Sequence, residues 1–273
     1  MLKKSFLHIP GIGSGTEQKL WAKGLHDWKS CLENPQELGS KNRDKVFRWI
    51  EESQRALDCR DPGFFADRLP AHQLWRIYPE FRHSCLFFDI ETNGRSSDIN
   101  HVTTIATFDG QEVRTFVYDQ NLNEFPDYLN SFDLIVSYSG KCFDLPFLRR
   151  EFGSLNPPAG HIDLRYVLAQ LGYRGGLKAC EKALGLARPD ELQGVDGFLA
   201  VLLWGEHLRA TSSALESLLC YNVHDAINLQ WLLQLAYNLA IARLPIEVEP
   251  LELEPLPTVE FQADDELIRS LLQ

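Results

Sequence analysis

The chain has 273 residues, 44% of them hydrophobic and 24% charged, with a formal net charge of −11. Those are globular proportions, enough for one large domain and an accessory piece, and no apolar run approaches the roughly 20 residues of a membrane-spanning helix. The acidity opposes a general attraction to nucleic acid, yet eight acidic side chains against Arg269 put −7 in residues 245–273 and leave −4 for the rest.

Lys3-Lys4 is followed by too few apolar residues before Pro10-Gly11 for a signal peptide. Ile9-Pro10-Gly11-Ile12-Gly13 is a turn, and Ser14 and Glu17 have capping-box spacing, so a short helix is expected from Ser14 to about Gly24. The loop resembles the hairpin of helix-hairpin-helix modules, in which backbone N–H groups and a helix N-terminus grip a phosphate. A plain glycine turn on a small helical region is the rival reading. Arg43 to Leu57 has Val46, Phe47, Ile50 and Leu57 on one helical face. The aromatic stretch from Phe64 to Arg82 reads as a connector packed on the main domain.

Strand patterns begin next. Ser84 to Phe88 is a short apolar strand. Val102 to Phe108 and Glu112 to Tyr118 flank Asp109-Gly110, a hairpin signal. A short helix near Phe125 to Asn130 precedes a buried strand, Leu134 to Tyr138. Asp144 to Phe152 is helical, with Pro146 in its first turn, and His161 to Leu164 is a last strand. Helices then follow at Arg165 to Leu171, Leu177 to Leu184, Phe198 to Arg209 and Ser213 to about Arg243. A hairpin first, then crossover strands with helices, makes an α/β sheet covered on its faces. Residues 245–258 are proline-rich and acidic, an extended linker. Asp264 to Leu272 is a final helix that docks back or binds a partner. The expected division is a helical region at 1–80, the main domain at 81–244 and an acidic tail at 245–273. Six cysteines lack a Cys-x-x-Cys pair, which speaks against a zinc knuckle or disulfide framework and fits a reducing cytoplasm.

The chemistry lies in three places. In Phe87-Phe88-Asp89-Ile90-Glu91-Thr92-Asn93-Gly94, strand alternation puts the Asp89 and Glu91 carboxylates on one side. They repel unless a cation sits between them, and a hard divalent metal suits carboxylate oxygens. In Tyr138-Ser139-Gly140-Lys141-Cys142-Phe143-Asp144, a strand ends in a glycine turn. Taken alone, Asp144 reads as a helix N-cap. In Tyr221-Asn222-Val223-His224-Asp225, four-residue spacing stacks a phenol and a carboxylate on one helical face. Alone, that reads as an exposed polar patch.

In this order and on these elements, the three motifs resemble the four-carboxylate (DEDD) exonucleases of the ribonuclease H-like superfamily, in the tyrosine variant that includes proofreading domains of DNA polymerases. The match is closer to a bacterial family of predicted ribonuclease H-fold exonucleases labelled YprB-like. Trp75 to Phe81, His161-Ile162-Asp163-Leu164, Gly176-Leu177 and the start from Ile9 to Trp28 also look like that family. The resemblance implies a mixed five-stranded sheet flanked by helices, with a small helix-hairpin-helix-like N-terminal region. It implies 3′ to 5′ hydrolysis of nucleic acid, with a single-stranded 3′ end as substrate and two Mg²⁺ or Mn²⁺ ions as cofactors. By the same resemblance Asp89 bridges both ions, Glu91 and Asp225 hold the one that activates water, and Asp144 steadies the second. Tyr221 orients the water, and Thr92, Ser139 and Lys141 meet the nucleic acid. Lys178, Arg149, Arg150 and Arg174 are further candidate phosphate contacts. Asp163 and His224 read as structural. The family usually carries Asn where this chain has Ser139, which keeps a donor and an acceptor with shorter reach.

Two other readings stand beside the enzyme. One is a non-catalytic nucleic-acid-binding protein of the same fold. The other is a scaffold whose acidic tail recruits a protein partner.

Overall fold

The computed structural model describes residues 1–96, 99–192 and 196–272, without the side chains of 40–42. Gln273, the end of the expected tail, lies outside them.

The N-terminal layer is helical. A 3₁₀ turn at Leu2–Lys4 leads to α1 (Ser14–Ala22), α2 (Trp28–Glu33), α3 (Ser40–Asp58) and α4 (Pro62–Ala66). A 3₁₀ segment at Ala71–Ile77 and α5 (Tyr78–Phe81) complete it. The expected capping box on α1 does not form: Gly13 is the N-cap and no side chain caps it. Glu17 instead turns into the core, accepting from the Phe6 N–H at 2.7 Å, the Ser5 hydroxyl at 3.1 Å and the Arg76 guanidinium at 3.0 Å. A carboxylate 1% exposed needs such partners. The sequence reading had no helix at α2, which Asp27 and Ser30 close with a capping box of their own.

The sheet has the order β3-β2-β1-β4-β5. Its strands are β1 (Cys85–Thr92), β2 (Val102–Phe108), β3 (Val113–Val117), β4 (Leu134–Ser137) and β5 (Gly160–Asp163). β1 is central, antiparallel to β2 and parallel to β4, and β4 is parallel to β5. This is the mixed five-stranded α/β sheet that was expected. Five helices follow the hairpin, α6 (Phe125–Leu129), α7 (Asp144–Phe152), α8 (Leu164–Leu171), α9 (Leu177–Leu184) and α10 (Gly197–Leu208). Then come α11 (Ala214–Ile241) and α12 (Asp265–Leu271).

Alternation along β1 decides what each face meets. Leu86, Phe88 and Ile90 pack with Phe125 and Leu129 of α6 and with Leu145 and Leu148 of α7. Phe87 points the other way, into a core shared with α8, α11 and the N-terminal layer, including Phe6, Ile9, Trp21 and Trp75. Asp89 and Glu91 are in phase with Phe87, so they belong to the α11 face. The strand runs four residues beyond its expected end at Phe88, and both carboxylates lie within paired strand. Register shifts between Glu91 and Thr92, a bulge beside the carboxylates where strands commonly re-aim their side chains.

Residues 245–258 are not a free linker. Asn238 of α11 holds both the N–H and the carbonyl of Leu251 at 2.8 Å. Gln234 accepts from the Glu254 N–H at 3.0 Å, and Gln230 donates to the Glu254 carboxylate at 3.0 Å. Val248, Leu251, Leu256, Val259 and Phe261 rest on the core while the glutamates between them face water. Further on, α12 buries Ile268. Among the described residues no helix is long and apolar enough to cross a membrane.

Candidate active site

β1 and α11 build the centre. Ligand atoms of Asp89, Glu91 and Asp225 all lie within 4.8 Å of one another. Glu91, Asp144, Tyr221 and Asp225 are buried, and Asp89 is half-buried. The polar patch expected on α11 is therefore not exposed: Tyr221 is 3% and Asp225 5% exposed. Asn222, on the adjoining helical face, fixes Asp89 by donating to its carboxylate at 2.8 Å and its carbonyl at 3.2 Å. The Asn222 carbonyl accepts from the Thr104 hydroxyl of β2 at 2.9 Å, which ties the helix to two strands at once.

Asp144 does not cap α7. The N-cap is Phe143, and Asp144 is the first helical residue. It borders the same cleft as the three clustered carboxylates. Burial raises its pKa to about 7, with repulsion from Asp163 adding to the effect. Burial likewise holds Asp89 and Glu91 well above the ordinary carboxylate range, and repulsion from Asp225 pushes the same way. Crowded, desolvated carboxylates of this kind fit a hard divalent cation, which would remove both penalties.

The turn at 138–143 depends on two backbone features. A Cβ at Gly140 would lie 2.1 Å from the Ser137 hydroxyl, which is itself bonded to His161 Nε2 at 2.8 Å. Ser139 has φ +65°, a left-handed conformation in which Asn is several-fold enriched among non-glycine residues. Asp163 pins this turn, accepting from the N–H of Ser139 at 2.8 Å, of Lys141 at 3.3 Å and of Arg165 at 3.1 Å. It is a structural carboxylate.

Two cations bond to site residues on α11, while Arg95 also lines the cleft. Lys178 of α9 donates to the Tyr221 hydroxyl at 2.6 Å, and burial lowers its pKa. Burial also raises Tyr221 well above the usual phenol value, with Asp225 and Glu91 adding to it, so the hydroxyl stays protonated. Arg188 was not foreseen. Its guanidinium makes two bonds to Glu181, at 2.6 and 2.7 Å, and one to Asp225. Burial opposes its charge, but Asp225 and Glu181 outweigh that and raise its pKa. Asn228, one turn beyond Asp225, holds Glu181 in turn at 2.8 Å.

The cleft has a volume of about 760 Å³. Thr92, Ser139, Lys178 and the four carboxylates line it, with Phe198, 60% exposed, on one wall. Lys141 is exposed and not part of that lining, and Arg149 and Arg150 are exposed on α7 away from it. Of the expected phosphate contacts, Lys178 alone borders the carboxylates, while Arg174 borders a neighbouring cleft.

A search of curated proteins finds no match. Among solved structures, the family B DNA polymerase from the hyperthermophilic archaeon Pyrobaculum calidifontis is similar over 56% of this chain and 25% of that chain, with 18% identity and a TM-score of 0.44. A family model of the RNase H superfamily matches residues 86–237, more than half of the 273 residues. That match begins in β1, ends in α11 and so contains every carboxylate of the cleft: the chain belongs to the RNase H superfamily.

Proposed function

We propose that this protein is a metal-dependent nuclease that releases nucleotides from the 3′ end of a nucleic-acid strand, as a tyrosine-type four-carboxylate exonuclease close to the YprB-like group. The observation that carries this reading is the convergence of Asp89, Glu91 and Asp225 within 4.8 Å, with Asp225 at least 134 positions from the other two in sequence, inside one cleft.

Asp89, Glu91 and Asp225 would hold divalent metal, with Asp144 supporting from the start of α7. Two such ions supply an activated water and offset charge on the leaving oxygen of a phosphodiester. The chain's own groups then set the geometry. Asn222 keeps Asp89 in one orientation. Tyr221, protonated and tied to Lys178, orients the attacking water rather than deprotonating it. Lys178 also places a positive charge beside the incoming phosphate. Thr92 and Ser139, which line the same cleft as the carboxylates, would touch the terminal nucleotide.

The test is nucleotide release from end-labelled single-stranded DNA and RNA in Mn²⁺, Mg²⁺ or EDTA, beside Asp89→Asn. The expected result is a ladder shortening from the 3′ end, lost in EDTA and in the variant. Metal-dependent binding of strands without any product would sink the proposal and leave the non-catalytic binder standing.

A further inference from the structure

A second cleft of about 540 Å³ adjoins the carboxylate cleft. The two share Tyr138, Ser139, Gly175 and Gly176, which form the divide between them. Beyond that divide the lining is of a different chemical kind. Arg165 and Arg174 are exposed, Tyr138 and Tyr173 are half-buried, and there is no carboxylate among the lining residues. In a chain of net charge −11, beside four carboxylates, a lining with two guanidiniums and no acid is a local reversal of sign.

The pieces match what a single strand offers. Aromatic faces accept unpaired bases whatever their identity, and guanidiniums take phosphates or stack on bases. Gly175 and Gly176 have φ of +106° and +94°, so the wall there is bare backbone that a sugar-phosphate chain can approach closely. Tyr138 is not free to swing. Its hydroxyl lies 3.7 Å from Cys180 Sγ, a contact that holds the ring on the divide. Tyr173 and Arg174 sit in the short connection between α8 and α9, directly following Gly172, which turns the chain at φ +106°.

We infer that this second cleft is the binding site for the single-stranded part of the substrate upstream of the scissile bond, with Arg165 and Arg174 on its phosphates and Tyr173 against a base. The inference rests on the nuclease reading of the neighbouring cleft for the direction of the strand, but not for its binding. It places most of the strand's contacts away from the metal carboxylates, on the residues of the second cleft.

The experiment measures the affinity of 5′-fluorescein-labelled dT10 and U10 in EDTA across a salt series, for the full chain and for Arg174→Glu, Tyr173→Ala and Tyr173→Phe. Alongside, hydrolysis of thymidine 5′-(p-nitrophenyl phosphate) with Mn²⁺ reports the carboxylate cleft alone, because that ester has one phosphate and no upstream strand. Arg174→Glu is expected to weaken decamer binding roughly tenfold and to lower the salt slope by about one. Tyr173→Ala should cost about tenfold with the slope unchanged, and Tyr173→Phe should bind normally. Ester hydrolysis should be the same in all four proteins. Decamer affinities equal to the unsubstituted chain would overturn the inference, as would loss of ester hydrolysis in step with binding. If the unsubstituted chain hydrolyses nothing while the binding losses follow the stated pattern, the nuclease reading fails and the strand site stands.

Discussion

Arg188 is a cation placed against a carboxylate that the nuclease reading gives to a divalent ion. Its bidentate hold on Glu181 keeps the guanidinium in place, so metal arriving at Asp225 meets a resident positive charge. Removing that charge should strengthen metal binding. Arg188→Gln is expected to bind Mn²⁺ about tenfold more tightly by calorimetric titration; weaker binding would mean that the guanidinium serves to hold Asp225 in place. Gly140 makes the opposite kind of prediction, about space rather than charge. An alanine there drives its Cβ into Ser137 and through it the Ser137–His161 bond. Gly140→Ala should lose about 1–3 kcal/mol in urea unfolding, and a loss under about 0.5 kcal/mol, the scale of ordinary surface changes, would show that the turn relaxes freely. Ser139 was read in the sequence as a change of side-chain reach. Its positive φ adds a backbone cost that the sequence did not reveal, since left-handed geometry is invisible unless glycine marks it.

At the scale of elements, β1 was readable because alternation is a strict rule: Phe87, Asp89 and Glu91 share a face whatever covers it. What covers it was not readable. Nothing in residues 85–92 specifies that α11 lies there, or that Asn222 reaches back to Asp89. Arg188 carried no signal for the same reason, since its partners Glu181 and Asp225 come together only through packing. The segment after α11 shows the limit of composition as evidence. Proline and glutamate suggested a linker, but Val248, Leu251 and Leu256 alternate with the acids and rest on the core, while half-buried Asn238 and buried Gln234 on α11 hold the backbone. Those amides need partners. Ending the chain after Leu244 should therefore uncover them along with apolar surface, and lower unfolding stability by about 3 kcal/mol or more in urea. An unchanged midpoint would mean that the strap contributes nothing.

Across the whole molecule the charged groups pull stability in two directions with pH. Asp144 is raised to about 7, and Asp89 and Glu91 are also raised. In the metal-free protein the folded state therefore binds more protons than the unfolded chain, so this contribution to stability falls as pH rises from about 4 towards 7. His8 and His161 are buried and lowered to about 3. Their contribution is complete above the unfolded value of about 6.5 and is lost as pH falls. Divalent metal replaces protons only at the carboxylates. Saturating Mn²⁺ should accordingly raise Tm more at pH 8 than at pH 5.5, read by differential scanning fluorimetry; an equal or reversed effect would remove the carboxylates from the metal site. The hairpin, the later strands and the helical covering were legible because hairpin, crossover and periodicity rules act locally, whereas the order of strands in the sheet was not read. The joining of the N-terminal layer to α11 in one core was not, because it depends on contacts between the two ends of the chain.

The separation of Asp89 from Asp225 also bears on synthesis. A ribosome delivers β1 long before α11, and no nascent chain shorter than 225 residues carries the third clustered carboxylate. Until then Asp89 lacks Asn222, and the sheet face that carries Phe87 lacks its helix. On the nuclease reading proposed above, the growing polypeptide therefore holds no complete carboxylate cluster until synthesis has passed residue 225.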